Sequence, residues 1–275
     1  MLRGLNELIG YSLATTDGDV GSVKDFYFED IRGSSSWAIR YLIVETGDWL
    51  EDREVLLSPA VCGQVDPKGK HIPVSLTREQ VRSSPATSEA VPISRMYEME
   101  LASHYGWPHY WGGGSYPTGL VPPIRTPAPT IPDDLADQAA DAVDEAEHAN
   151  TVLRSMQEAI GYAIQATDGE IGDVEDFLVE DESWEIRYLV VDTGNWLPGR
   201  KVLVALPWIR QVSWSDSAVY VDLTRDQIES SPSFDPSMPV SREYEVRLHD
   251  SYGRPIYWNE PKQPPGNNPG NSPHI

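Results

Sequence analysis

The chain has 275 residues, length for one large domain or two ordinary ones, and with 40% hydrophobic and 23% charged residues it has the composition of a globular protein that buries a core. It carries 43 acidic against 21 basic residues, a net charge of -22, so a general positive field able to hold a phosphate backbone is excluded and no nucleic-acid partner is expected. The single cysteine, Cys62, rules out intramolecular disulfides and any site needing two thiolates, and no stretch approaches the roughly 18 apolar residues of a spanning helix. We expect a soluble, cytoplasmic protein with no transmembrane segment.

The chain is a duplication. Residues 37–111 align without a gap on residues 184–258, with 34 identities in 75 positions. Upstream, IGYSLATTDGDVGSVKDFYFED matches IGYAIQATDGEIGDVEDFLVED. Four parts follow: a first repeat with a helical extension (1–111), a linker with an acidic helix (112–150), a second repeat with its extension (151–260) and a disordered tail (261–275). The linker reading rests on GGGSYPTGLVPPIRTPAPTIP, whose glycines and prolines support neither a helix nor a central strand. DDLADQAADAVDEAEHAN, rich in alanine and acids, then predicts a weakly anchored helix. The second repeat is the more acidic, -11 against -6 for the first.

Within each repeat, strands precede helices. An Asp-Gly pair between apolar runs, Asp17-Gly18 and Asp168-Gly169, predicts a hairpin. WAIRYLIVETG and WEIRYLVVDTG read as long central strands, followed by REVLLSP and RKVLVAL. Weaker strands are expected at Val61–Asp66 and His71–Val74, and at Ile209–Trp214 and Ala218–Val221. Six short antiparallel strands in about 70 residues are best closed into a small barrel, which removes both exposed edges. The fold class is therefore mainly β: two small six-stranded antiparallel β-barrels, each followed by short helices. Thr77 and Thr224, with Gln80 and Gln227 three residues on, have capping-box spacing for a first helix. A second helix opens at Ser94 or Ser241 and aligns Tyr97, Leu101 and Tyr105, or Tyr244, Leu248 and Tyr252, on one face.

No motif of nucleophile, phosphate loop or metal site appears, so no catalytic, cofactor-binding or metal residue is assigned and the protein is expected not to be an enzyme. His71, His104, His109, His148, His249 and His274 are scattered, and His104 and His109 do not recur in the second repeat. Asp17, Asp19 and Asp25 invite a calcium reading, but their spacing is not that of a calcium loop. Cys62 sits where the second repeat has Ile209, an apolar site. Arg40 and Arg187, inside apolar strands, are expected to face solvent or pair with carboxylates. Trp37, Trp49, Trp184 and Trp196 read as barrel caps. The aromatic runs beyond the barrels, Tyr105, Trp107, Tyr110 and Trp111 and then Tyr252, Tyr257 and Trp258, must pack on something. With Tyr97, Leu101, Tyr244 and Leu248 they are the protein-interaction candidates, either between the two repeats, as in a fused symmetric dimer, or against a partner.

The pattern G-Y-x-x-x-x-x-D-G-x-x-G-x-V-x-D-F, then W-x-I-R-Y-L-x-V-x-T-G-x-W-L, then R-x-V-L, met at residues 8–82 and again at 159–229, resembles the PRC-barrel family. This is the small β-barrel named after the photosynthetic reaction-centre H subunit. The L-T-R-[ED]-Q, S-S-P, Y-E and Y-G-x-P-x-Y-W elements are similar to the extension of stand-alone bacterial members. The resemblance implies a non-enzymatic module for protein or RNA-particle contacts, with a family-level association with reaction-centre-type complexes, and the net charge argues against a ribosomal RNA surface. The alternative is a small-ligand-binding protein or enzyme using a barrel mouth.

Overall fold

A computed structural model describes residues 1–30, 37–50, 53–85, 93–108, 110, 153–194 and 196–259. The linker and acidic helix at 112–150, the tail at 261–275, and Trp111, His109, His148 and His274 lie outside the described residues. The elements run β1 (Leu2–Gly4), α1 (Leu5–Leu8), β2 (Ser12–Thr15), β3 (Gly18–Glu29), β4 (Trp37–Glu45), β5 (Glu54–Leu57), β6 (His71–Pro73), α2 (Arg78–Arg82) and α3 (Arg95–Tyr105). The same order then recurs as β7 (Leu153–Ser155), α4 (Met156–Ala159), β8 (Ala163–Ala166), β9 (Gly169–Glu180), β10 (Glu185–Asp192), β11 (Lys201–Ala205), β12 (Ile209–Ser213), β13 (Ala218–Val221), α5 (Arg225–Ser230) and α6 (Arg242–Tyr252).

The protein is mainly β, with a large open mixed sheet and short helices. The expected closed, all-antiparallel barrels are corrected in two respects. Among the described residues the strand pairing stays open, and β6 runs parallel to β2, as β13 does to β8. The cause is a parity change. The 3-10 turns at Pro59–Val61 and Leu206–Trp208, each with a proline in its first two positions, carry the chain round a corner without a hairpin reversal. One reversal fewer makes the last strand parallel to the first of its series. In the first half, the expected strand at Val61–Asp66 is reduced to isolated bridges, Cys62 with Val74 and Asp66 with His71. The short elements β1, α1, β7 and α4 carry too few residues to show a period, and sequence reading did not anticipate them.

Two compact units result, one of Arg3–Ile160 with Phe177–Arg187, the other of Met1–Leu2, Gly161–Asp176 and Tyr188–Ile275. In the first, β3 pairs with β2 at its start and with β4 from Ser22 opposite Glu45 to Glu29 opposite Ala38, and β5 continues the sheet beyond β4. Its core stacks Trp37 on Phe28, ring centroids 5.0 Å apart, with Phe177 5.5 Å from Phe28. Trp184, also buried, holds a left-handed backbone at φ 55°, unusual for so large a side chain. Its carbonyl accepts from the Ile39 N–H at 2.8 Å, fixing the turn before β10 onto β4. In the second unit, β8 pairs with the first part of β9 and with β13, and β11 lies on the last five residues of β10.

The turn aspartates tie each hairpin to the helix that follows. Asp17 Oδ1 accepts from the Arg78 N–H at 2.7 Å and Asp168 Oδ1 from the Arg225 N–H at 2.9 Å. This bond holds the Asp17 carboxyl below its ordinary range. Both capping boxes form, Thr77 with Gln80 and Thr224 with Gln227.

Gly21 and Gly172 mark a different constraint. Each has φ near +135° (133° and 135°), and a Cβ there would stand 2.1 Å from the Glu45 carbonyl oxygen or 1.9 Å from that of Asp192. Replacing either with alanine is expected to cost about 3 kcal/mol, from strained backbone and overpacking together. Urea unfolding should show the lowered midpoint, while Gly10→Ala, where a Cβ meets nothing within 4 Å, should show only the backbone part of that loss.

Candidate functional site

Two built features stand out, and the first lies wholly in the Arg3–Ile160 unit. Strand β7, from the second half of the sequence, pairs antiparallel with β3 through Tyr27 and Ser155, Phe28 and Arg154, and Glu29 and Leu153. Asp25, only 7% exposed, anchors this added segment. Its carboxylate accepts from the Ser155 hydroxyl, the Gln157 N–H at 3.2 Å and the Phe26 N–H at 2.7 Å. Burial raises the Asp25 pKa, and these three donors oppose it. The Gln157 amide adds a bond to the Lys24 carbonyl at 2.8 Å. Leu153 then enters an apolar cluster with Tyr41, Ile43, Leu56, Ile93 and Leu101. Backbone pairing supplies the affinity of such an added strand and the side chains fix its register.

The second feature occurs in both halves. In the first, α3 starts at the Ser94 cap and ends at Gly106, whose φ of 71° suits a left-handed stop. Its Glu98 is 1% exposed. Tyr41 of β4 donates to Glu98 Oε2 at 3.1 Å, Tyr110 to the same oxygen at 2.6 Å, and Arg95 Nη1 to Oε1 at 3.0 Å. The Arg40 guanidinium lies 4.1 Å above the Tyr110 ring and donates from Nε to Glu29 at 2.9 Å. In the other unit, Glu245 of α6 repeats the arrangement with Tyr188 and Tyr257, both at 3.0 Å, and Arg242, also at 3.0 Å. Arg242 lies 4.3 Å above the Trp258 ring. Burial raises the Glu98 pKa against the pull of Tyr110, Arg95 and Tyr41, and it pushes the phenols of Tyr41, Tyr110 and Tyr188 upward and that of Tyr257 to about 12. A buried carboxylate with every oxygen matched by donors is a clamp: it ties helix, strand and aromatic terminus together.

The residues singled out from sequence fall around these clamps. Leu101 and Leu248 are fully buried and Tyr252 nearly so. Tyr97 donates to the Pro85 carbonyl and Tyr244 to that of Pro232, while Tyr105 stacks on Trp107 at 4.2 Å. Tyr97, Tyr105, Trp107 and Tyr110 pack against the cluster of Leu101, and Tyr252 packs on Trp208 at 4.6 Å. Arg40 and Arg187 pair with carboxylates, Glu29 in one case and Glu180 and Glu185 in the other. Trp37 and Trp184 are buried, and Trp196 lies under Arg225 at 4.7 Å. Cys62 is half-buried, and burial pushes its thiol up to about 12. His71 lies 3.5 Å from Asp66, and His104 bonds the Gln80 carbonyl. Asp17 and Asp25 are engaged as described, and among the described residues no group of three or more His, Cys, Asp or Glu could hold a metal. Sequence reading missed Glu98, Glu245, Arg95 and Arg242, and it weighed Asp25 only as a calcium ligand. A signal existed: Arg95, Glu98 and Tyr110 stand identical to Arg242, Glu245 and Tyr257 in the internal alignment.

Residues 155–228 match the PRC-barrel domain, so a domain of this kind is present there. An uncharacterised protein of Deinococcus radiodurans is 38% identical over 91 residues. That stretch is 32% of this chain and 32% of the relative, so the chain spans about a third of the length of the curated relative it matches. The domain match ends before α6, so the helix that carries Glu245 lies beyond it.

The raised pKa values of Asp25 and Glu98 have a definite sign. A carboxyl that binds its proton more tightly folded than unfolded contributes stability that is full below the unfolded value, near 4, and is lost as pH rises through the folded one. Asp25→Asn keeps an acceptor for the backbone donors and should flatten this decline, whereas Asp25→Ala strands three donors and should cost roughly 2–4 kcal/mol at pH 7. Urea titrations between pH 4 and pH 7 distinguish the two. A steeper decline in Asp25→Asn would contradict the assignment.

Proposed function

We propose that this chain is a non-enzymatic assembly protein made of two PRC-barrel-type halves that bind protein surfaces by strand addition, first of all to each other. The observation that carries this reading is the seating of β7 and α4 on β3, where backbone pairing and the buried Asp25 hold a segment about 130 residues away in sequence. The domain at 155–228 supports a family-level role in protein contacts, and association with a reaction-centre-type complex is its narrower form. The buried clamps support it too. Glu98 and Glu245 are spent on internal donors, and their tyrosines are held as neutral phenols.

The test uses the full chain with a protease site placed in residues 112–132. After cleavage, the fragments should elute together as one species near the intact mass of 30.6 kDa. Asp25→Ala combined with Ser155→Ala should weaken their association by about 10- to 100-fold, the equivalent of one to two lost charge-assisted bonds. Fragments that separate while each keeps its β signal in circular dichroism would sink the reading. A small molecule that raises the melting temperature without changing fragment affinity would support the ligand-binding alternative instead.

A further inference from the structure

The clamp of the second half carries a group that the first lacks. His249, one turn after Glu245 on α6, stands where the internal alignment has Ala102. It is 2% exposed. Its Nδ1 lies 2.7 Å from the Pro255 carbonyl oxygen, which can only accept, so Nδ1 carries a hydrogen. Its Nε2 lies 3.0 Å from the Tyr188 hydroxyl, and that same hydroxyl lies 3.0 Å from Glu245 Oε1.

One hydroxyl hydrogen cannot serve both contacts. With a neutral imidazole, the Tyr188 hydrogen goes to Nε2 and not to Glu245, which then keeps Tyr257 and Arg242 as its donors and meets a lone pair of Tyr188. When a proton enters at Nε2, the imidazolium donates to the Tyr188 oxygen, and the Tyr188 hydrogen swings to Glu245. Every contact is then satisfied.

We propose that His249, Tyr188 and Glu245 form a proton-binding relay, in which a proton taken up by the imidazole is registered at the carboxylate that clamps Tyr257. No covalent bond is made or broken apart from the one N–H. The groups facing this chain act in opposite directions. Burial beside Trp208, 5.1 Å away, opposes the imidazolium and dominates, holding the His249 pKa below the ordinary histidine value. The bond to the Pro255 carbonyl and the charges of Glu245 and Asp250 favour the imidazolium, and Arg242 is bonded to the far oxygen of Glu245. Tyr188 from β10 and Tyr257 from the C-terminal turn stay neutral phenols. The imidazole therefore takes up its proton at a lower pH than an ordinary histidine does. In the first half Tyr41 donates to Glu98 with alanine at the relay position, so that clamp has no such input.

The test is long-range proton–nitrogen NMR of the full chain labelled with 15N-histidine, with His249→Gln assigning the signal among six histidines. Nδ1 should be protonated at every pH, and Nε2 should gain its hydrogen on acidification. Tyr188→Phe removes the relay and should lower the Nε2 midpoint by about one pH unit, the loss of one charge-assisted bond. Glu245→Gln should lower it in the same direction, which keeps the proposal testable if the phenylalanine variant does not fold. Tyr41→Phe in the other clamp should leave it unmoved. A hydrogen on Nε2 in place of Nδ1 at neutral pH, or a midpoint that stays put in either variant of the relay, overturns the proposal.

Discussion

A carboxylate keeps its charge inside a protein only where other groups replace the water it has lost. Asp25, Glu29, Glu98 and Glu245 are all buried, and the matching of their oxygens organises much of what surrounds them. Glu98 draws Tyr41 from a strand, Arg95 from its own helix and Tyr110 from the segment beyond the helix onto one point. Arg40 is drawn to Glu29 and lies over Tyr110, so the central strand and the aromatic terminus are joined through a cation. The apolar cluster around Leu101 shares Tyr41 with this network, and Tyr110 packs against it. Burial alone would leave the helix free to slide on the sheet, because dispersion and the hydrophobic effect are not directional. The matched carboxylates fix its position.

Much of the architecture was legible because it rests on local rules. The Asp-Gly turns, the central strands beginning at Trp37 and just after Trp184, and both capping boxes follow from spacing and residue type, and the structure has them. Strand direction did not follow. It depends on counting reversals, and a three-residue turn at Pro59 or Leu206 changes the count without altering any hydrophobic period. The clamps were hidden for another reason. Glu98 and Glu245 lie on short helices rich in charge, where a carboxylate reads as solvated, and their partners are 57 residues back (Tyr41, Tyr188) or 12 ahead (Tyr110, Tyr257). The internal alignment held the clue, since an arginine, a glutamate and a tyrosine are identical at these positions while Met96 and Met99 stand opposite Glu243 and Val246.

The two clamps also show how one arrangement differs between the halves at two neighbouring sites. The alanine-to-histidine difference between 102 and 249 leaves the glutamate, both tyrosines and the arginine in place. Trp208, which the first half replaces with Val61, fills the space beside the imidazole. The two changes belong together, because an imidazole brought into an apolar site needs a wall of its own.

The seating of β7 on β3 has a consequence for the order in which the chain becomes a protein. Tyr110 leaves the ribosome well before Ala159, and at about 5–20 residues per second the interval is roughly 2–10 s. Throughout that interval the backbone of Tyr27–Glu29 awaits β7, and Asp25 awaits the donors of Ser155 and Gln157. Translation therefore has to carry an unpaired strand past its neighbours on the polysome, where identical nascent chains offer the same edge. An acidic stretch is made during this wait, since residues 112–150 carry a net charge of -6. Like charges on adjacent nascent chains repel, and that repulsion acts during the seconds when the open edge of β3 is exposed to misassembly.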